Sequence, residues 1–300
     1  MRQRTSSGSS RRDLLKLMGV GGVVFSSGLA RAETKRKKSD VDADFMFLQL
    51  SDTHWGYSGV SNPMADVPLK KAIETINATA ARPDFIVFTG DLTHTTDDGA
   101  VRRKRMAEFK VLAGGLKVET QHLLPGEHDA GKDRGAAYRE HFGPLHHTFD
   151  HKGVHFVALD NVSDPAGAIG EKQIDWLAAD LKKLGREAPI VVLAHRPLFD
   201  LAPDWDWMTR DGAKVVDVLL PYRHVTVFYG HIHREHHHLT EHIGHHAARS
   251  LIFPLPAPMS VPKKAPLPFD PAAPFRGIGY RRIDVDVSTA PKLVELPVVA

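Results

Sequence analysis

The sequence predicts a layered α/β fold, and two observations support this prediction. Short apolar runs of strand length alternate along the chain with segments of helical periodicity. Most of these runs stop at a cluster rich in His, Asp or Gly, and sheets of this kind bind ligands at the carboxyl ends of their strands. The 300 residues, 42% hydrophobic and 25% charged, are typical of a globular protein. We expect one domain over residues 44–300.

Six apolar runs are predicted to form strands that end in polar residues. They are Phe45 to Leu50, Phe85 to Phe88, His122 to Leu124, Val154 to Leu159, Ile190 to Leu193 and Val225 to Tyr229. Three segments between them have helical spacing, namely residues 67–81, 101–112 and 172–184. The polar residues that follow the strands are therefore expected to collect along one rim of the fold.

The chain changes character after about residue 250, where proline-rich loops replace the alternation of strands and helices. Two strand candidates, Ile278 to Val287 and Leu293 to Val299, close the sequence. We expect them to pair antiparallel at the edge of a second sheet.

The N-terminus has the organisation of a signal peptide. Residues 10–16 (SRRDLLK) carry a twin-arginine pattern, an apolar run follows over residues 17–29, and Ala30-Arg31-Ala32 is an A-x-A cleavage site. A single membrane anchor is the alternative, but the apolar run is shorter than the roughly 20 residues of a spanning helix. We predict cleavage after Ala32, export to the periplasm by the twin-arginine machinery and no stable membrane insertion afterwards. Residues 33–43 are predicted to form a basic linker.

Removal of this segment changes the charge of the protein. Residues 1–32 hold six Lys or Arg and one Asp, so the remainder carries 33 basic and 35 acidic residues and a net charge of −2 instead of +3. The basic balance of the whole chain is therefore no sign of a nucleic-acid partner, and none is expected. The sequence contains no cysteine, which excludes disulfides, thiolate metal sites and cysteine nucleophiles.

Seven residues of metal-ligand type close five of the strand motifs. They are Asp52, His54, Asp91, Glu127, His195, His231 and His233. One such histidine is more often a satisfied core or surface residue than a ligand. Seven in five motifs, each at a strand end, indicate a metal centre of oxygen and imidazole donors. Such a donor set favours Mn, Fe or Zn over Mg alone.

In these motifs the sequence resembles the calcineurin-like metallophosphoesterase family, whose ordered signature is D-x-H, G-D, G-N-H-D/E, H and G-H-x-H. The resemblance covers roughly residues 44–260 and implies a four-layer α/β/β/α sandwich of two mixed sheets. It implies that Asp52, His54 and His233 hold one metal ion, that Asp91 bridges, and that the second ion is held by Glu127, His195 and His231. It also implies that His128 lies near the leaving group and that Asp129 orients it.

The chemistry of such a centre follows from its charges. Two divalent or mixed-valence ions share a bridging water, lower its pKa and neutralise the phosphate, so that a bridging hydroxide attacks the phosphorus in line. His128 can then protonate the leaving alkoxide. The predicted function is hydrolysis of a small phosphate mono- or diester. A non-catalytic periplasmic metal-binding or accessory protein on the same fold is the alternative.

One position departs from the family signature. Glu127 stands where the family has a neutral Asn, so the centre gains a third carboxylate beside Asp52 and Asp91. We expect tighter retention of the second metal, a less acidic bridging water and a weaker attraction for a monoester dianion. Glu127 could also ligate just as Asn does, or it could mark an inactive descendant.

Three further features are open to two interpretations each. His94, Arg196 and Trp205 are candidate substrate contacts; His94 could instead be a loop histidine, and Trp205 could pack on the core. Asp160 and Asn161 could support the site or form a turn. The histidines between residues 236 and 246 could form a hairpin with alternating faces or an auxiliary metal-binding patch.

Overall fold

The computed structural model describes residues 44–80, 82–286 and 291–299. The predicted signal peptide and basic linker lie outside the described residues. Eleven strands are described: β1 Phe45–Leu50, β2 Phe85–Thr89, β3 Gln121–Leu124, β4 His147–His151, β5 Val154–Ala158, β6 Pro189–Leu193, β7 His224–Tyr229, β8 His236–Thr240, β9 Ile243–Ala247, β10 Gly279–Val285 and β11 Lys292–Pro297. The helices described are α1 Val67–Ala78, α2 Gly99–Ala113, α3 Glu127–Ala130, α4 Ala136–Phe142, α5 Glu171–Leu181 and α6 Gly212–Leu219.

The strands form two mixed sheets. Sheet 1 has the order β11-β10-β1-β2-β3, and sheet 2 has the order β4-β5-β6-β7-β9-β8. Strands β1, β2 and β3 are parallel to one another, as are β5, β6, β7 and β9. Antiparallel strands complete both sheets at their edges.

The layers are α/β/β/α, which confirms the predicted four-layer sandwich. Strand β1 shows how its sequence produces the layers: Phe45 and Phe47 pack between the sheets, whereas Leu48 and Leu50 face the helices that cover sheet 1. This alternation follows from the two-residue period of a strand buried on both faces. Helices α1, α2 and α4 cover sheet 1, and α5 and α6 cover sheet 2.

The last two strands differ from the prediction in their location. They are antiparallel, as expected, but β10 pairs with β1, with Gln49 opposite Arg281, so both strands extend sheet 1 instead of a second sheet. Arg281 is fully buried there, donates to the carbonyl of Ala247 at 2.5 Å and forms an ion pair with Glu295. This pairing places a charged side chain between the sheets. Within the described residues, no helix combines the length and apolar character needed to cross a membrane.

Candidate metal centre and active site

Five loops at the carboxyl ends of β1, β2, β3, β6 and β7 bring the seven predicted ligands together. Five of these seven residues have a left-handed backbone, with φ between 43° and 67°. These residues are Asp52, His54, Asp91, His231 and His233. Such φ values are uncommon outside glycine and cluster at functional sites, because the surrounding structure must hold them.

The first donor group consists of Asp52, His54, Asp91 and His233. One donor atom from each residue lies within 4.8 Å of the others, and all four side chains are buried. The Nε2 atoms of His54 and His233 are 3.2 Å apart, and His233 Nε2 is 3.5 Å from Asp52 Oδ1. This convergence of carboxylate oxygens and imidazole nitrogens is a geometry that a cation would satisfy.

The second donor group consists of Glu127, His195 and His231. Glu127 Oε2 lies 2.8 Å from His195 Nε2, and Glu127 Oε1 lies 2.9 Å from His231 Nδ1. Within the described part of the chain, Glu127 Oε2, His195 Nε2 and His231 Nδ1 are buried without a hydrogen-bond partner. Buried polar atoms normally have hydrogen-bond partners. Three unpartnered donor atoms in one group are therefore consistent with a cation-binding site.

Backbone carbonyls fix which nitrogen of three histidines faces the centre. His195 Nδ1 donates to the carbonyl of Thr89 at 2.7 Å, and His233 Nδ1 donates to that of Phe253 at 2.9 Å. His231 Nε2 donates to the carbonyl of Asp206 at 3.0 Å. When each ring is neutral, its other nitrogen therefore directs a lone pair toward the donor groups, as in protein metal sites generally.

Asp91 links the two donor groups. Its Oδ2 is 3.4 Å from His54 Nε2 and 3.5 Å from His195 Nε2. Its Oδ1 accepts the main-chain N–H of His128 at 2.9 Å, which fixes the carboxylate in the middle. The seven residues thus fit two cations that share Asp91, with oxygen and nitrogen donors suited to Mn, Fe or Zn.

Glycines let the loops approach this closely. Gly90 has φ +92°, and a Cβ there would lie 2.8 Å from His195 Cγ and 2.9 Å from the nitrogen of Gly126. A Cβ at Gly230 would lie 2.8 Å from Asp52 Oδ2. Because a real Cβ does not tolerate such distances, any larger residue would displace a predicted ligand.

Burial and neighbouring charges favour neutral imidazoles at His54 and His233 in the first donor group and a protonated imidazole at His195 in the second. Burial lowers the pKa of His233 to about 3 and holds that of His54 well below its usual value. Burial also acts on His195, but the carboxylates of Asp91 and Glu127 overcome it and raise its pKa. A proton on His195 therefore occupies the position of a cation among carboxylates, and metal binding would release it.

His128 lies beside Asp91 with a defined tautomer. The main-chain N–H of Thr95 donates to His128 Nδ1 at 3.2 Å, so a proton on the neutral ring resides on Nε2. That Nε2 is 3.9 Å from Asp91 Oδ2, and the side chain is 25% exposed. His128 can therefore present a proton to a group bound at the edge of the centre.

The structure does not place Asp129 against His128 as the resemblance implies. Asp129 is buried, and its carboxylate accepts N–H groups from Leu92, Thr93 and Gly126 at 2.8 to 3.0 Å. It therefore ties the loop after β2 to the loop after β3, and the contact that orients His128 comes from the backbone of Thr95.

A groove of about 440 Å³ opens beside Glu127 and His128. Its wall includes Lys132, Arg196 and Arg210, together with the loop of residues 162–167. Asp164 and Asp206 also line the groove, so its wall carries both signs of charge and suits a small polar ligand.

The other candidate substrate contacts have different positions. His94 Nδ1 lies 3.2 Å from His54 Nδ1, and the His94 ring packs on His128 and Tyr57. His94 therefore contacts His54 at the ring nitrogen that does not face the first donor group. Trp205 is only 4% exposed and packs edge-on against Trp207. This packing favours the second interpretation of Trp205, in which the ring packs on the core.

Asn161 and Asp160 divide between the two roles predicted for them, whereas Lys264 has no signal in the sequence. Asn161 Oδ1 accepts the N–H of His195 at 3.2 Å, which supports the site, whereas Asp160 accepts N–H groups of the local turn. Lys264, from the proline-rich segment, donates to the carbonyl of Trp205 at 2.8 Å and is half-buried near Glu127 and Asp206. Only its position in a loop over the site identifies it.

The histidines after residue 235 form the β8–β9 hairpin, with the side chains divided between two faces. His238 and His245 pair across one face beside Phe199, and His237 and His246 pair across the other, with their Nδ1 atoms 2.8 Å apart. Among the described residues, the groups of three or more convergent donors all lie at the centre, and none includes a hairpin histidine. The alternating hairpin is therefore the better interpretation.

Comparisons with known proteins agree with this fold and indicate a family. A family model for calcineurin-like phosphoesterases matches residues 45–235. A probable cyclic nucleotide phosphodiesterase of Rhodococcus erythropolis is 30% identical over 205 residues, covering 62% of this chain and 64% of that protein. A cAMP/cGMP dual specificity phosphodiesterase of Mycobacterium tuberculosis is 29% identical over 204 residues, covering 63% of this chain and 62% of that protein. The matches thus span just under two thirds of both relatives.

Among solved structures, a dimetal phosphatase from Danio rerio superposes with a TM-score of 0.59 at 14% identity. The match covers 86% of this chain and 98% of that structure. At this identity the likeness concerns the fold alone, and it agrees with the two-sheet sandwich described above.

Proposed function

The chain belongs to the calcineurin-like phosphoesterase family, and on that premise we propose that it hydrolyses phosphoester bonds as an exported two-metal phosphodiesterase. One observation carries the proposal. Seven oxygen and nitrogen donors from five loops converge in two groups around Asp91, and three buried donor atoms have no hydrogen-bond partner among the described residues.

The ligand roles follow from the two donor groups. Asp52, His54 and His233 would hold one divalent cation, Glu127, His195 and His231 would hold the other, and Asp91 would contact both. Mn, Fe and Zn suit these donors. When bound, the two ions supply Lewis acidity toward the phosphate and lower the pKa of a water molecule.

His128 is proposed to protonate the leaving group. Its Nδ1 accepts the N–H of Thr95, so Nε2 faces the mouth of the groove. The imidazolium form of the ring would transfer a proton from Nε2 to the leaving oxygen and return to neutral imidazole. General-acid catalysis of this kind contributes about 10² to 10⁴ in rate. Because His128 and the groove lie on the same side, the leaving group would occupy the groove.

We propose a small organic phosphodiester as the substrate. Relatives named as phosphodiesterases support this choice, including a probable glycerophosphodiester phosphodiesterase of Arcobacter nitrofigilis at 25% identity over 200 residues. A groove of about 440 Å³ can hold a nucleotide or a lipid-derived headgroup.

Export to the periplasm is proposed from the sequence. The twin-arginine pattern of residues 10–16 and the A-x-A site at residues 30–32 support it. Expression of the full chain followed by fractionation and N-terminal sequencing tests this part, with Glu33 expected as the first residue of the mature form. A chain retained in the cytoplasm with residues 1–32 intact would overturn it.

The catalytic part is tested with chromogenic esters. Metal-free protein is loaded with Mn, Fe or Zn and assayed on bis(4-nitrophenyl) phosphate and 4-nitrophenyl phosphate, with metal content measured in parallel. We expect two ions per chain and faster turnover of the diester. His128→Asn should retain both ions and lose turnover. His141→Asn, on helix α4 away from the centre, should retain both ions and also wild-type turnover. Failure of every metal with both esters would refute the proposal.

A further inference from the structure

Glu127 is not the only charge that distinguishes this centre, because a buried arginine lies next to it. We propose that Glu127 and Arg196 act as one unit, in which Arg196 is the countercharge of the extra carboxylate. In this unit Arg196 weakens the hold on the second cation and strengthens the attraction for a phosphate anion. The inference rests on the proposed function and concerns the specificity of the same site.

The two side chains face each other. Arg196 Nε lies 3.8 Å from Glu127 Oε2, and the arginine side chain is 9% exposed. Both atoms are buried, and within residues 44–80, 82–286 and 291–299 neither has a hydrogen-bond partner. Two opposite charges at this distance in a buried setting interact far more strongly than a surface pair.

Arg196 is held in this position from several sides. Its Nη2 forms an ion pair with Asp206 Oδ2 at 2.9 Å. Gly167, with φ +68°, packs so closely that a Cβ there would lie 2.8 Å from Nη1. The carboxamide of Asn161 bonds both the N–H and the carbonyl of Arg196, at 3.3 and 3.0 Å. The guanidinium is therefore fixed before any ligand arrives.

The position of Arg196 determines the net charge of the metal centre. With cations bound and the proton of His195 released, Asp52, Asp91 and Glu127 would bring three negative charges to the centre, and Arg196 returns one positive charge beside Glu127. Asp206 does not cancel that charge fully, because its side chain is 64% exposed and screened by water. With Arg196 included, the net charge equals that of the family signature, which has a neutral amide at this position.

This balance revises an expectation from the sequence. Glu127 alone predicts tighter retention of the second metal and a weaker attraction for dianions. With Arg196 beside it, both effects should appear only when the arginine charge is removed. Removal of the arginine charge should raise the affinity for the second cation and lower the affinity for phosphate. A merely structural role would be different, because a loosened site would lower both affinities.

The test uses four variants of the full chain, assayed as metal-loaded protein. These are Arg196→Gln, Arg196→Lys, Glu127→Asn and the double variant E127N/R196Q. Arg223→Gln is the matched control, since it removes the same charge from an exposed arginine paired with Glu187. Cation affinity is measured with Mn²⁺ by chelator competition, phosphate affinity by calorimetry with inorganic phosphate, and folding by thermal unfolding.

For Arg196→Gln we expect the Kd of the second Mn²⁺ to fall about tenfold and the Kd of phosphate to rise about tenfold. The double variant should return both constants to within about threefold of the wild type, because it removes one charge of each sign. Arg196→Lys should keep the cation affinity within about threefold, and Arg223→Gln should leave both constants unchanged. If Arg196→Gln does not fold, Arg196→Lys and the double variant still measure the balance.

A fall of both affinities in Arg196→Gln, or no change in either, would overturn the inference. So would a double variant as perturbed as the sum of its single changes. Neither affinity requires turnover, so the outcome is separate from that of the proposed function. Opposite shifts without hydrolysis of any ester refute the catalytic proposal alone, whereas a wild-type chain that binds no cation refutes both.

Discussion

Substitution of Gly90 by alanine should destabilise the fold and disturb the second donor group as well. Gly90 follows β2 with φ +92°, and an added Cβ would meet His195 Cγ at 2.8 Å and the nitrogen of Gly126 at 2.9 Å. His195 would have to move, and with it the 2.7 Å bond from Nδ1 to the Thr89 carbonyl. That bond fixes the lone pair that faces Glu127.

The expected magnitude has three parts. A left-handed alanine is destabilised by about 1 to 2 kcal/mol, forced repacking adds about 1 to 3 kcal/mol, and the lost hydrogen bond adds about 1 kcal/mol. We therefore expect about 3 to 6 kcal/mol of lost stability for Gly90→Ala. Displacement of an orienting contact should also weaken metal binding about 10- to 100-fold.

Gly153→Ala is the matched control. Gly153, in the turn between β4 and β5, has φ +84°, and a Cβ there would meet nothing within 4 Å. It should therefore lose only the backbone part, about 1 to 2 kcal/mol, and keep both metals. Urea unfolding and chelator competition on both variants measure the difference. Equal losses of stability, or wild-type metal affinity in Gly90→Ala, would refute the reasoning.

Three further predictions concern the general acid, the core and the response to pH. His128→Asn should lower kcat about 10² to 10⁴-fold with unchanged metal content, and His141→Asn should not; equal turnover in the two variants would contradict the assigned role. Arg281→Met should reduce the free energy of unfolding by about 3 to 5 kcal/mol in urea, because Glu295 is left buried without its cation; R281M/E295L should recover most of it. Burial lowers the pKa of His122 to about 4 from the usual 6.5. The contribution of the neutral His122 ring to the free energy of unfolding is therefore fully present above pH 6.5 and is lost as the pH falls toward 4. His122→Gln should flatten this decline by about 1 to 2 kcal/mol, since the ring is partly exposed, and an unchanged pH profile of unfolding would contradict it.

Much of the fold was predictable from the sequence because its central strands are continuous apolar runs. The runs at residues 45–50, 85–88 and 225–229 all form strands, and the helix predicted over residues 67–81 is seen as Val67–Ala78. The edge strand β4 was not predicted, since His147–His151 is mostly half-buried and lacks a clear apolar alternation. The pairing of β10 with β1 depends on contacts between distant residues, which no local pattern reports.

The seven donors were predictable because ligands need particular side chains at strand ends. The groups that orient them were not: the carbonyls of Thr89, Asp206 and Phe253 accept bonds that any residue could supply. Trp205 shows the opposite difficulty. An aromatic residue in a loop is equally compatible with stacking on a ligand and with burial, and only packing against Trp207 decides between them.

Because the donors come from strands of both sheets, the centre exists only in the assembled sandwich. The main-chain N–H of His231, after β7 of sheet 2, donates to both carboxylate oxygens of Asp52, after β1 of sheet 1, across 179 residues of sequence. Contacts so distant in sequence form late and slow the folding of the chain. Metal ions should therefore bind the native state and not its precursors, and each bound ion raises the free energy of unfolding by mass action. Resistance to proteolysis should rise with metal concentration, because bound ions would stabilise the packing of the two sheets against each other.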